Sequence, residues 1–131
     1  MKSSRGFTVI ELLIVVGIFA VASVVFFVQK NQVEVAARDD ARKTSINAMY
    51  YSLEEVYFKK NQSYPRTVTS ENLPSVDPDL FKDPSGVKIG EGTSNFRYEA
   101  LNCTDDNCKG YSLRTTLENE DDFVKTNRNN N

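Results

Sequence analysis

MKSSRGFTVIELLIVVGIFAVASVVFFVQK, residues 1–30, decides how the rest of this chain is read. Phe7 to Val28 is a run of 22 residues with one charge, Glu11. As a helix at about 1.5 Å per residue the run is about 33 Å long, enough to cross a hydrocarbon core of roughly 30 Å. Lys2 and Arg5 precede it, and basic flanks favour the cytoplasmic side. Lys30 on the far flank is answered by Glu34, Asp39 and Asp40. The expected topology is therefore N-terminus in, with Gln29 to Asn131 outside. A secretory signal would have a shorter apolar region followed by a small-residue cleavage site. Here Ala20-Val21-Ala22 lies inside the run. A plain anchor satisfies the length but leaves Glu11 unexplained, because a carboxylate at bilayer depth is costly and usually has a partner.

Composition narrows the classes further. The chain has 131 residues, room for one compact domain and an appendage, and a mean hydropathy of −0.45 that conceals the split between the apolar run and its polar remainder. It has no His, which removes Ser-His-Asp and Cys-His catalysis, His-ligated zinc and a His pH switch from this chain alone. No nucleophile with a base and no catalytic carboxylate pair stands out, so no enzyme and no cofactor is expected. A net charge of −2 gives no global basic field, and direct nucleic-acid binding is not indicated.

Arg5-Gly6-Phe7-Thr8-Val9-Ile10-Glu11-Leu12-Leu13-Ile14-Val15-Val16 resembles the N-terminus of type IV prepilins and type II secretion pseudopilins. The likeness covers residues 2–28. It implies cleavage between Gly6 and Phe7 by a prepilin peptidase and N-methylation of Phe7 as the new first residue. It also implies that Glu11 attracts the terminal amine of a neighbouring subunit during assembly. Physical reasoning runs alongside. Cleavage would create a cation at Phe7, and Glu11, four residues on, lies on the same helix face. In a lone subunit the amine can lie near its own Glu11; in a bundle each Glu11 can meet the amine of the next subunit. Low dielectric strengthens that attraction and penalises an unpaired carboxylate, so the charge would pin register, as a buried polar residue does in a coiled coil. Many pilins carry a helix-breaking Pro late in the apolar segment; here only Gly17 and Ser23 interrupt it.

Beyond the run, no Gly or Pro occurs between Ser23 and Tyr64. Ile46, Met49, Tyr50, Leu53, Val56 and Tyr57 form a stripe at helical spacing, the mark of a core-facing helix. Residues 29–42 are polar nearly all round. Arg38, Asp39, Asp40, Arg42 and Lys43 are expected to form a solvated face, with subunit–subunit salt bridges as the alternative. The helix should end near Asn61, before Tyr64-Pro65. From about residue 7 to about 60 it would span roughly 80 Å, more than so small a domain can bury.

Residues 63–94 contain Pro65, Pro74, Pro78, Pro84, Gly86, Gly90 and Gly92, and read as an irregular loop pinned by Leu73, Val76, Leu80 and Phe81. Asp77, Asp79 and Asp83 invite a calcium reading, but Asp-Pro pairs are also turn signals and the spacing fits no EF-hand; no metal site is expected. Asn95 to Ala100 and Tyr111 to Leu117 alternate as strands, with a polar turn bracketed by Cys103 and Cys108 between them. Antiparallel pairing would bring the two thiols to disulfide distance in a compartment where disulfides persist; two free thiols are the alternative. Phe123-Val124-Lys125 offers a short third strand, and Asn127 to Asn131 read as a frayed tail.

The expected fold is α+β: a long N-terminal helix whose second half packs on a small antiparallel sheet, with Ile46, Met49, Leu53, Val56, Phe96, Tyr98, Tyr111 and Leu113 in the core. The expected organisation is a leader at 1–6, a membrane and filament-core segment at 7–28, an amphipathic helix at 29–62, a loop at 63–94 and a sheet at 95–131. The function implied by resemblance is a structural subunit of a type IV pilus-like filament. A secretion or competence pseudopilin is the near alternative, and a membrane-tethered extracellular binding module is the alternative of another class. The implied partners are copies of itself or other pilins, the prepilin peptidase, an assembly platform with its ATPase, and the membrane before assembly. The subunit would sit in the inner membrane first and in a cell-surface filament afterwards.

Overall fold

The computed structural model describes residues 6–128; residues 1–5 and 129–131 lie outside the described part. Helix α1 runs Val9–Ser52, continues through a π-helical segment Leu53–Tyr57, and closes with α2, Phe58–Asn61. Strands β1 (Tyr64–Pro65), β2 (Phe96–Thr104), β3 (Asn107–Thr115) and β4 (Phe123–Thr126) form one antiparallel sheet. β3 pairs with β2 on one side and with β1 and β4 on the other. This is the expected α+β arrangement. The chain divides between Val35 and Ala36 into two units.

In the first unit every described residue up to Glu34 is exposed, from Phe7 at 80% to Val15 at 38% among the large apolar side chains. An apolar helix with no face covered is what a lipid or multi-helix environment stabilises. The helix is long and apolar enough to cross a membrane, by length and composition.

In the second unit Ile46, Met49 and Leu53 are fully buried against Tyr64, Phe96, Tyr111 and Leu113. The sheet alternates as period 2 requires: Phe96, Tyr98 and Ala100 on β2 and Tyr111, Leu113 and Thr115 on β3 turn inward, Tyr98 and Ala100 only partly covered. The strands run further than their apolar alternation. Thr104 pairs with Asn107, so the turn is only Asp105-Asp106, and the cysteines belong to the ladder. Asp105 takes a left-handed φ of 54°, a conformation Asp tolerates in tight turns.

Val56 departs from the expected core and is 45% exposed. The π segment is the cause. The Phe58 N–H donates to the Leu53 carbonyl, which inserts an extra residue into the turn and rotates the following positions. Glu54 turns inward instead, and Phe58 stacks on Tyr64 at 4.9 Å between ring centroids. The helix stops at Gln62, which is left-handed at φ 54°.

The connection between β1 and β2 is less irregular than its composition suggests. Leu73, Val76 and Phe81 are buried, and Pro78–Phe81 forms a short 3-10 helix capped by the Asp77 carboxylate, which accepts from the Asp79 N–H. The Asp83 carboxylate accepts from the backbone N–H groups of Ser85, Val87 and Asn95. These two acids organise turns.

Candidate functional site

The first described residues carry the Gly6–Phe7 junction at which cleavage is expected. Gly6, Phe7 and Thr8 are exposed and precede the first helical turn, so the Gly6–Phe7 peptide lies in non-helical backbone. Space around Gly6 is open, with no atom near where a Cβ would stand. A protease needs accessible backbone, and this junction is exposed and outside the helix.

Glu11 stands in the first turn of α1, where a carboxylate complements the positive end of the helix. Its Oε2 accepts from the Thr8 N–H at 3.5 Å, while the Thr8 hydroxyl accepts from the Glu11 N–H at 3.3 Å. The pair is a capping box. Thr8 was not singled out by the sequence reading, although Thr-x-x-Glu before an apolar run is the sequence signature of this motif. In the uncut chain the Phe7 nitrogen is a peptide amide, so the only partners of the Glu11 carboxylate among the described residues belong to its own first turn.

The charged group at residues 38–43 is the main correction to the sequence reading. Asp40 alone of the five charged residues is exposed; the others are buried or partly buried. Asp39 and Arg42 are 2% and 4% exposed. The Asp39 carboxylate accepts from the Glu118 N–H at 2.9 Å, the Asn119 N–H at 3.0 Å and Arg42 Nη1 at 2.8 Å. Arg38 grips the Glu118 carboxylate with two bonds of 2.8 Å, Arg42 adds a third at 2.9 Å, and Lys43 pairs with Glu120 at 2.7 Å. The helix cations thus hold the segment after β3 within one subunit. Burial pushes the Asp39 carboxyl up, but the Glu118 and Asn119 N–H groups and the Arg42 guanidinium outweigh it and leave it below the usual carboxylate range. Hydrogen bonds from Arg38, then Arg42, bring Glu118 down to about 2.

Glu54 anchors a second polar cluster. It is 4% exposed and accepts from the Tyr111 hydroxyl at 2.8 Å, the Tyr64 hydroxyl at 3.1 Å and the Arg128 N–H at 3.2 Å. Burial first, and then the neighbouring Glu54 charge, push the Tyr64 hydroxyl well above its ordinary value. Burial and the hydrogen bond to Glu54 do the same for Tyr111. The cluster corrects the frayed-tail expectation for two residues. Asn127 is buried and accepts from the Tyr111 N–H, and Arg128 lies against the Tyr50 ring and pairs with Glu55. Asn129 to Asn131 lie outside the described residues.

Cys103 and Cys108 are direct cross-strand partners joined by a disulfide, with Sγ atoms 2.01 Å apart. Among the described residues no cluster of three or more His, Cys, Asp or Glu has the arrangement to hold a metal ion.

Residues 1–27 match the family model described as the prokaryotic N-terminal methylation motif. No curated protein and no solved structure matches the chain. The motif points to a structural subunit rather than an enzyme, and it is the signature of type IV pilins and pseudopilins: this chain carries it at its N-terminus, ahead of an α+β unit with a cross-strand disulfide.

Proposed function

We propose that the protein is a structural subunit of a type IV pilus-like filament, released from its leader between Gly6 and Phe7 by a prepilin peptidase. Residues 1–6 leave, Phe7 becomes the methylated N-terminus, and residues 7–28 serve first as a membrane segment and then as filament core. The observation that carries this reading is the methylation motif standing on a helix whose apolar side chains are uncovered all round. A helix of that kind is satisfied by lipid before assembly and by copies of itself afterwards.

Glu11 supplies the register. Once Phe7 carries an amine, the Glu11 carboxylate has a cationic partner to choose, its own or a neighbour's. In the packed state the neighbour's amine is the partner that ties subunits together, and desolvation makes an unmatched pairing costly. The precursor lies N-terminus in, with residues 29–131 outside, where the Cys103–Cys108 bond persists. An assembly platform and its ATPase extract the subunit from the membrane.

Intact-mass analysis of sheared filaments tests the processing step. The expected mass is that of the chain from Phe7, with one added methyl and with both cysteines oxidised. Assembled protein that retains Met1 would overturn the reading.

A further inference from the structure

Strand β2 is an edge strand, and β3 is its only strand partner among the described residues. The ladder shows which of its backbone groups face the open side. The Thr116 N–H donates to the Asn95 carbonyl at 3.3 Å, which makes these two a hydrogen-bonded pair one step beyond Phe96 and Thr115. Such pairs alternate along an antiparallel ladder, so Arg97 and Glu99 bond inward to β3, while Tyr98 and Ala100 aim their N–H and C=O groups outward. Tyr111, opposite Ala100, agrees: its N–H turns away from β2 to Asn127 Oδ1. On the open side the Phe96 N–H is taken by the Ser94 hydroxyl at 3.1 Å, and the groups of Tyr98 and Ala100 remain as a template for another strand. Asn102, left-handed at φ 52°, ends that template.

Arg97 and Glu99 stand on the face of β2 turned away from the core, and both are exposed. Arg97 has no carboxylate partner among the described residues; its guanidinium donates to the Gly92 carbonyl at 3.4 Å. Glu99 meets Arg114 at 3.2 Å in an exposed pair of little strength. Charges on an edge normally keep other strands away, but here their order leaves one strand acceptable. A second copy of β2, laid antiparallel and centred on Tyr98, sets each Arg97 opposite the other copy's Glu99. Both ion pairs then fall at non-hydrogen-bonded positions, where side chains lie closest. Centring on Glu99 instead would oppose the two Glu99 carboxylates. We propose that the open edge of β2 pairs with β2 of a second copy of this chain in the Tyr98-centred register. The bonds run between the two Tyr98 residues and from each Ala100 N–H to the other copy's Phe96 carbonyl. A two-fold pair cannot join neighbours of one polar filament, whose subunits all point the same way. On the filament reading, the contact therefore joins two filaments side by side, where many weak contacts add.

The test is amide hydrogen exchange, followed by NMR, of the full, unassembled chain in neutral maltoside micelles at rising protein concentration. Exchange at the Tyr98 and Ala100 amides should slow as concentration rises. The Tyr111 and Leu113 amides of β3 should stay protected throughout, which also checks that each variant folds. Arg97→Glu and Glu99→Arg should each weaken the pairing by about tenfold or more, because each sets like charges opposite one another. Mixed in equal amounts, the two variants should pair again, since their changes complement each other across the two-fold axis. Three results overturn the proposal: exchange at Tyr98 and Ala100 that ignores concentration, variants that pair as well as the unsubstituted chain, or a mixture that pairs no better than either variant alone. The concentration series on the unsubstituted chain stands without the variants. Because nothing is assembled in the experiment, its failure leaves the filament reading intact, and failure of that reading leaves the pairing intact.

Discussion

The carboxylates of Glu11 and Asp39 belong to one helix and are treated in opposite ways. Asp39 sits in a polar stretch of sequence, yet it is buried and its oxygens are occupied by the Glu118 and Asn119 N–H groups and by Arg42. Glu11 sits in the most apolar stretch, yet it is exposed and holds one long bond to Thr8 in its own turn. In the polar half, Arg38, Asp39, Arg42 and Lys43 all find partners inside the subunit. The apolar half leaves its single charge exposed. In the proposed filament the greasy surface is the one that oligomerises, and its one charged residue would give that association a register.

If the head's charges are internal, breaking them should cost folding. Asp39→Ala strips the acceptor from two backbone N–H groups and leaves the buried Arg42 guanidinium without its nearest counter-charge, an effect of about 3–5 kcal/mol. A thermal melt of the full chain in micelles, followed by near-ultraviolet tyrosine circular dichroism, should show a large fall in midpoint. A shift no larger than that of a surface substitution would mean that the cluster is solvated after all. Reducing the Cys103–Cys108 bond should cost about 2 kcal/mol in the chain-entropy model for so short a loop. The same melt with and without reductant measures it.

The pH dependence has a defined sign. Glu118 has a folded value of about 2 against an ordinary 4.5, and Asp39 is also below its ordinary 3.8. Groups depressed by folding contribute their stabilisation above the unfolded pKa and lose it as pH falls through the folded one. Head stability should therefore be level in this respect from neutral pH down to about 4.5 and fall between there and about 2. Arg38→Gln should flatten that decline, since its hydrogen bond is the largest cause of the Glu118 shift. An unchanged acid limb would detach the effect from this cluster.

The comparison also explains what could be read from the sequence. The apolar run, the N-terminal methylation motif and the β2–β3 hairpin were legible because each has a periodicity or motif of its own. Asp39 and Arg42 were not, because their burial depends on Glu118 and Asn119, nearly 80 positions away, and local polarity in the helix carries no trace of them. Glu54 and Val56 were exchanged for a different reason. A 3.6-residue stripe was projected through a segment that the structure winds as a π-helix. Asn127 and Arg128 looked like part of an Asn-rich tail, but the partners that dock them, Tyr111 and Glu54, are supplied by the fold. The Thr8–Glu11 capping box has its own local signature, Thr-x-x-Glu ahead of an apolar run.

The smallest expected effect on folding belongs to Glu11. Glu11→Leu should change head stability by no more than about 0.5 kcal/mol, the scale of an ordinary surface substitution. Its effect on assembly should be severe, and that asymmetry is the central claim. The direct measurement is the yield of sheared filaments from Glu11→Leu against the unsubstituted chain, in cells where this protein is the sole major subunit, with membrane-fraction protein as the loading control. A mature, membrane-located, normally melting protein with filament yield sharply reduced or abolished is the predicted result. Normal filament yield from the same material would contradict it and remove Glu11 from assembly.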